Sequence, residues 1–292
     1  MSPDGWHLTE DLDDFLVRAK DFLHSRPTLH TVPLTVTEAL RTRGADAYGS
    51  DAPVFGLLER AGEVCATFFR TPPRRLALTP LTPEEADCLA AHLAGLAHPL
   101  PGVNADRDTA TSFAEAWQRH TGAIPTLHER KRLYRLGTLT PPEPFPEGRG
   151  RIAGEEDRER LMLWHREFVN DIGETPSADS SSWADTRIAD GRVRFWQTPD
   201  GTPVSMAGMT PMVAGQIRVA PVYTPALLRG RGYGGAATVE VSRAALAAGA
   251  AEVLLFADLA NPTSNGLYQR IGYRPVTDFA VYDFSCGALE AR

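Results

Sequence analysis

"LLRGRGYGGAA", residues 227–237, holds four glycines and two arginines in eleven positions. Gly230, Gly232 and Gly235 read as G-x-G-x-x-G, the spacing of a dinucleotide-binding turn. Before it stands the β-branched run "QIRVAPVYTP" (216–225), and after it the alanine-rich run "AATVEVSRAALAAG" (236–249). The first predicts a strand ending at Pro225, the second a helix stopped by Gly249. Glycines at such a turn let backbone come close to a ligand. The first helical N–H groups point at that ligand, and the helix dipole favours an anion. From Gly201 to Val239 there is no Asp or Glu, where 37 acids in 292 residues would place about five. Arg218, Arg229 and Arg231 are the only charges in that stretch. A helix start normally attracts acids, so their absence predicts a ligand that brings its own negative charge.

Three anionic ligands compete for the loop. A nucleoside triphosphate on a P-loop needs G-x-x-x-x-G-K-[ST], and there is no lysine here. A nicotinamide dinucleotide gains support from Asp258, 23 residues after Gly235, where a ribose-binding acid would stand. Only 34 residues follow Asp258, too few for further βαβ units, and "TPALLR" separates the strand from the first glycine. The third ligand is coenzyme A.

Outward from the loop the pattern is α/β with a mixed sheet. "RVRFWQT" and "PVSMAGM" flank the turn "PDG" and predict a hairpin. "EVLLFADL" predicts a buried strand, "SNGLYQRIG" a short helix ending at Gly272, and "YRPVTDFAVYDF" a closing strand. The N-terminal half repeats this order. "VFGLLERAGEVCATFFR" predicts a hairpin, and "RLALTPLTPEEADCLAAHLAG" a strand and helix without the glycine loop. "FAEAWQRHTG" stands where the other half has "NGLYQRIG", with Trp117 at the place of Tyr268, and "HERKRLYRL" closes the half. Between the halves "GTLTPPEPFPEGRG" (137–150) has four prolines from Pro141 to Pro146, which fit neither a helix nor a central strand. It is expected to be a linker between residues 1–136 and 151–292.

Composition narrows the class. Hydrophobic residues at 42% and charged residues at 23% predict a packed soluble core. A net charge of −7 argues against nucleic acid or an anionic membrane surface as partner. No apolar run approaches the ~20 residues that span a bilayer, and the start lacks a signal segment. A cytoplasmic protein is expected. Cys65, Cys88 and Cys286 have neither C-x-x-C nor zinc spacing, so no metal is expected and the thiols should be reduced and buried.

The decisive pattern is a pair of motifs. "RGRGYG" preceded by "VAPVYTP", and followed by "LFADLANPTSNGLYQRIGYRPV", resembles the GNAT N-acyltransferase superfamily. Its pyrophosphate loop, [QR]-x-x-G-x-[GA], is matched by Arg229, Gly232 and Gly234. Its second motif is matched in order and spacing by Asn261, Ser264, Leu267, Tyr268, Gly272 and Tyr273. The resemblance covers roughly residues 150–285. It implies tandem GNAT-like folds, the C-terminal one intact and the N-terminal one degenerate.

The resemblance also implies chemistry. An amine of a small molecule or peptide attacks the thioester of acetyl-CoA directly. Backbone N–H groups from Gly230 to Gly235, with Arg229, Arg231 and Tyr233 in the loop, would cradle the pyrophosphate. The strand edge at Val222, Tyr223 and Thr224 would pair with the pantetheine amides, and a backbone N–H there would polarise the thioester carbonyl. Asn261 would bond the pantetheine, beside Ser264. Tyr268 would give a proton to the departing thiol. The strand "QIRVAPVY" has no acid, so the base is unassigned, with Asp171, Glu174 and His165 as candidates. Trp117 has no proton to give, so the N-terminal half is expected to bind no coenzyme A and to wall the cleft or stabilise the fold. Tandem fusion leaves monomer and homodimer both open. A non-catalytic acyl-CoA-binding module is the alternative function.

Overall fold

The computed structural model describes residues 5–96, 99–173 and 180–285. They form two compact units, neither continuous in sequence. Unit 1 takes the chain up to Arg132, then Asp258–Ala260 and the residues from Thr277 on; unit 2 takes Leu133–Ala257 and Asn261–Val276.

Unit 1 contains β1 (Gly5–Thr9), α1 (Leu12–Ser25), α2 (Thr31–Arg43), β2 (Val54–Arg60), β3 (Glu63–Arg70), β4 (Leu76–Leu78), α3 (Pro83–Gly95), β5 (Gly102–Asp106) and α4 (Arg107–Thr121). Strand β6 (Ile124–Leu136) begins in unit 1 and ends in unit 2. Unit 2 continues with β7 (Arg149–Ile152), α5 (Arg158–Asp171), α6 (Ser180–Ala189), β8 (Val193–Gln197), β9 (Pro203–Met209), β10 (Gln216–Tyr223), α7 (Tyr233–Ala247), β11 (Glu252–Asp258) and α8 (Pro262–Ile271). Strand β12 (Tyr273–Ser285) begins in unit 2 and ends in unit 1. Both halves of the chain run β-α-α-β-β-β-α-β-α-β, the repeated order expected from the sequence.

In unit 1 the strands run β1-β2-β3-β4-β5-β12. Here β4 and β5 pair in parallel, through Leu76↔Val103 and Ala77↔Asn104. In unit 2 they run β7-β8-β9-β10-β11-β6, antiparallel from β7 to β10, with β10 and β11 parallel. The strands of each unit are therefore mixed in direction, as expected of an α/β chain in which helices connect the parallel strands.

The cores follow from the helix faces. In α3 the buried positions Ala86, Leu89, Ala90 and Leu93 repeat at helical spacing, and they pack with Phe68, Val103, Phe113 and Trp117. In unit 2 small residues dominate the inner face of α7. Ala236, Ala237, Val239, Val241 and Ala245 lie against Ile217, Val219, Val253 and Leu255, with Tyr268 of α8. On the opposite face of that sheet, Leu161 and Trp164 of α5 and Ala184 and Ile188 of α6 pack on Phe195, Met206 and Tyr223.

Two expectations meet the structure differently. Cys65 and Cys88 are free but exposed, not buried. Cys88 falls on α3 between the core positions, so the helical period turns it outward. Cys286 lies outside the described residues. The proline-rich stretch 137–150, expected to be a linker, lies in unit 2, where Phe145 meets the Trp196 ring edge-on at 5.2 Å and Arg149 starts β7. Among the described residues no helix is long and apolar enough to cross a membrane.

Candidate functional site

The site begins where two parallel strands part. β10 pairs β11 only through Gln216↔Glu252, Ile217↔Val253 and Arg218↔Leu254. Past Arg218 that ladder stops. On its other side β10 shifts register between Val219 and Val222, then resumes with β9 at Val222↔Ala207 and Tyr223↔Met206. A bulge of this kind bends the strand and unpairs its backbone. The edge of β10 beyond Arg218 is thus unladdered where it faces β11. Ala220 is exposed, although β10 lies between two other strands. Val222, Tyr223 and the following Thr224 stand at this opening.

The glycine loop closes one end of it. Gly230 has φ +76° and Gly232 φ +80°, both in the left-handed region that favours glycine. Gly232 is the N-cap of α7 and supplies no side chain. The first intrahelical bond is Ala236 N–H to Gly232 O. Among the described residues, the N–H groups from Gly230 to Gly235 find no acceptor, and the first turn of α7 carries no acid. Gly234 and Gly235 serve close packing. A Cβ on Gly234 would stand 3.2 Å from Thr224 Oγ1, and one on Gly235 3.0 Å from Leu267. Thr224 Oγ1 lies 2.9 Å from Ser205 Oγ, which also donates to Tyr223 O.

The two loop arginines differ. Arg229 turns back onto the protein: Nε donates to Thr224 O, an Nη donates to Asp171, and the guanidinium lies 5.8 Å from the centre of the Tyr223 ring. It ties the loop to the end of α5. Arg231 is exposed and pairs with no acid among the described residues. Tyr233, the first residue of α7, is partly buried against the α7 core.

The second motif forms α8. Asn261 is its N-cap, and Asn261 Oδ1 accepts from Ser264 N–H at 3.0 Å. Its acceptor is therefore engaged, and its amide hydrogens remain for a ligand. Tyr268 shares the core with Val219 of β10 and Ala257 of β11, and its ring meets Tyr273 edge-on at 6.1 Å. Burial pushes its phenol up to about 12. The Tyr268 hydroxyl makes no hydrogen bond among the described residues, and the side chain is buried. It keeps its proton at neutral pH.

Of the candidate bases, Asp171 is engaged by Arg229, and Glu174 lies outside the described residues. His165 stacks on Trp183 with ring centroids 4.2 Å apart, and its Nδ1 lies 3.2 Å from Ser180 Oγ. Burial, with Arg187 nearby, lowers it to about 4, so it is neutral and weakly basic at pH 7. The structure adds a residue that the sequence reading passed over. Glu167 of α5 accepts a hydrogen bond from the Tyr223 hydroxyl at 2.8 Å. Burial and this carboxylate push the Tyr223 phenol up to about 12. A signal was available: Glu167 and Asp171 are four apart on one helix, so they share a face.

No protein-family model matches the chain, and no curated protein matches it in sequence. Solved structures do match. A GCN5-related N-acetyltransferase from Sphaerobacter thermophilus aligns over 97% of this chain and 96% of its own, with TM-score 0.63 and 18% identity. A GNAT-family acetyltransferase from Colwellia psychrerythraea aligns over 96% and 99%, with TM-score 0.62 and 11% identity. A tandem GNAT protein from the clavulanic acid biosynthesis pathway aligns over 98% and 100%, with TM-score 0.57 and 13% identity. At these identities the likeness is one of fold: the chain shares the tandem GNAT-like fold of these structures.

Proposed function

We propose that unit 2 is an N-acetyltransferase that moves the acetyl group of acetyl-CoA to a primary amine of a small molecule or peptide by direct attack. The observation that carries this reading is the opening of β10 from β11 beside the uncapped start of α7. Unpaired N–H groups from Gly230 to Gly235, left-handed glycines and an acid-free first turn fit a pyrophosphate. The unladdered edge of β10 at Val222, Tyr223 and Thr224 fits the amides of a pantetheine arm. Bound there, acetyl-CoA supplies an activated acetyl thioester. A backbone N–H of β10 would polarise its carbonyl, Asn261 would donate to the arm, and Tyr268 would give its proton to the sulfur.

The test is a thermal-shift panel with acetyl-CoA, longer acyl-CoAs, free coenzyme A, NAD and NADPH, followed by thiol release with primary amines. A ligand at about 100 times its Kd adds roughly 2.7 kcal/mol of stability, visible as a raised Tm. Stabilisation by the coenzyme A series alone, with amine-dependent thiol release, supports the reading. Stabilisation without turnover on any amine would point to an acyl-CoA-binding module, the reading that the acid-free strand β10 favours. Stabilisation by NAD or NADPH alone would overturn both.

A further inference from the structure

We propose that Glu167 is the general base that takes the proton from the acceptor ammonium. This rests on the acetyltransferase reading of unit 2 and supplies the group that β10 lacks.

The argument is one of faces. On one side of the sheet in unit 2, α7 and α8 pack tightly. Ala236, Ala237 and Tyr268 fill the space against Val219 and Ala257. The other side carries α5 and α6. Strand alternation puts Ile217 and Val219 in the α7 core, so Arg218 and Ala220 face the other way. In β11 Leu255 and Ala257 belong to the α7 core, so Phe256 also faces the other way. Arg218 lies over the Phe256 ring at 5.9 Å, Ala220 is exposed, and Tyr223 joins the α5 core. The exposed Ala220 thus makes the α5 side the open approach to the β10 opening.

On that side the carboxylate held against the last residue of β10 is Glu167. Tyr223 OH fixes one of its oxygens at 2.8 Å, which leaves the other for a substrate N–H. Two titratable neighbours on α5 are engaged elsewhere. Asp171, one turn further along α5, is paired with Arg229, whose guanidinium covers the Tyr223 ring. His165, two residues before Glu167, is turned onto Trp183 and Ser180.

The protons balance. The ammonium gives its first proton to Glu167, which passes it to solvent. The freed lone pair forms the C–N bond, and the C–S bond breaks with its electrons on sulfur. Tyr268 protonates the sulfur, and the second proton lost by nitrogen restores Tyr268.

The experiment compares two kinds of nucleophile in Glu167→Gln. Ethanolamine, putrescine, glucosamine and a short peptide carry ammonium groups at pH 7, whereas hydroxylamine is largely neutral there. With the best ammonium acceptor, thiol release should fall about 100-fold, the lower end of general-base effects. Its log rate should then climb with unit slope from pH 6 up to the acceptor amine's own pKa, because hydroxide replaces the missing base. With hydroxylamine, after subtraction of the uncatalysed reaction, the loss should shrink to a few-fold. The acetyl-CoA thermal shift checks that the variant folds; if it does not, Glu167→Asp, which keeps the carboxylate, is compared in the same way and should lose less than tenfold on ammonium acceptors. Equal losses on both nucleophiles, or an unchanged pH profile, would overturn the assignment while leaving the acetyltransferase reading intact. Wild-type protein that binds acetyl-CoA and turns over no amine would overturn that reading and this one together.

Discussion

Helices α3 and α7 occupy the same place in the repeated order, and they begin in opposite ways. α3 starts with a full capping box. Thr82 Oγ1 accepts from Glu85 N–H at 3.3 Å, Glu85 returns a carboxylate to Thr82 N–H at 2.8 Å, and Pro83 has no N–H to satisfy. Glu84 and Glu85 neutralise the positive end of the dipole. α7 starts on Gly232 with neither cap nor acid. One helix start is closed by the protein's own side chains and the other is left bare, and the proposed function places the anion at the bare one. The parallel pairs differ in the same sense. β4 is three residues long, whereas β10 runs eight residues and leaves its partner after Arg218.

The largest effect should come from Tyr268 and its counterpart Trp117. Tyr268→Phe removes the proton and keeps the ring in the core. We expect kcat to fall about 100-fold with acetyl-CoA affinity within twofold. Trp117 is stacked with Phe113 and Phe284 in unit 1, with centroids 6.0 and 5.9 Å away. Trp117→Phe should lower Tm and leave kcat unchanged. Steady-state kinetics on both variants decide it. A comparable loss of kcat in both would mean that the two positions do not differ in role.

Next comes a transplant of the closed end. Gly232→Asp places a carboxylate at the start of α7. Asp tolerates positive φ better than most residues, and a Cβ there meets only Pro146, at 3.5 Å. We expect acetyl-CoA to bind about 10- to 100-fold more weakly through repulsion of the phosphates, with a modest drop in the unliganded Tm from the strained positive φ. Calorimetric titration measures it. Undiminished binding would show that the start of α7 is not where the anion lies.

These differences were unequally legible in the sequence. The glycine loop and the Asn261-to-Tyr273 motif are local patterns, because a ligand that needs bare backbone imposes glycine at fixed spacing. The element order was legible from periodicity for the same reason. Glu167 was not, because its partner Tyr223 is 56 positions away and the contact exists only once α5 lies on β10. The passage of β6 and β12 from one unit to the other was equally hidden. "HERKRLYRL" and "YRPVTDFAVYDF" each read as a strand, and nothing in a strand's own residues names the sheet edge that it joins. The side chain of Arg229 matched the loop motif, yet it is held by Asp171, a residue from another part of the chain.

A smaller effect separates the units by pH. Both units hold an imidazole lowered by burial: His30 in unit 1, with Nδ1 3.1 Å from Leu23 O, and His165 in unit 2 at about 4. The unfolded chain takes up a proton on His165 near 6.5 and the folded chain only near 4. The stabilisation from His165 is therefore complete above pH 6.5 and is lost as pH falls toward 4. His165→Phe keeps the stack on Trp183 and removes the titration. After allowance for partial exposure, it should recover about 1–2 kcal/mol of the stability lost between pH 7 and 4.5, as read by urea denaturation. An identical acid-side fall in the variant would mean that His165 does not stay neutral in the fold.

The smallest expected effect tests the closed end itself. Thr82→Ala removes the hydroxyl that accepts from Glu85 N–H, and an N-cap of this type is worth about 1 kcal/mol. Glu85 still has Arg60, 2.8 Å away, so the helix start frays without losing its acid. Stability should drop by that amount in urea, with acetyl-CoA affinity and kcat unaltered. The contrast with Gly232→Asp is the point. One substitution opens a helix start and alters only stability; the other closes a helix start and acts chiefly on binding. If Thr82→Ala weakened acetyl-CoA binding, α3 would belong to the receiving machinery after all, and the division of labour between the two helix starts would be wrong.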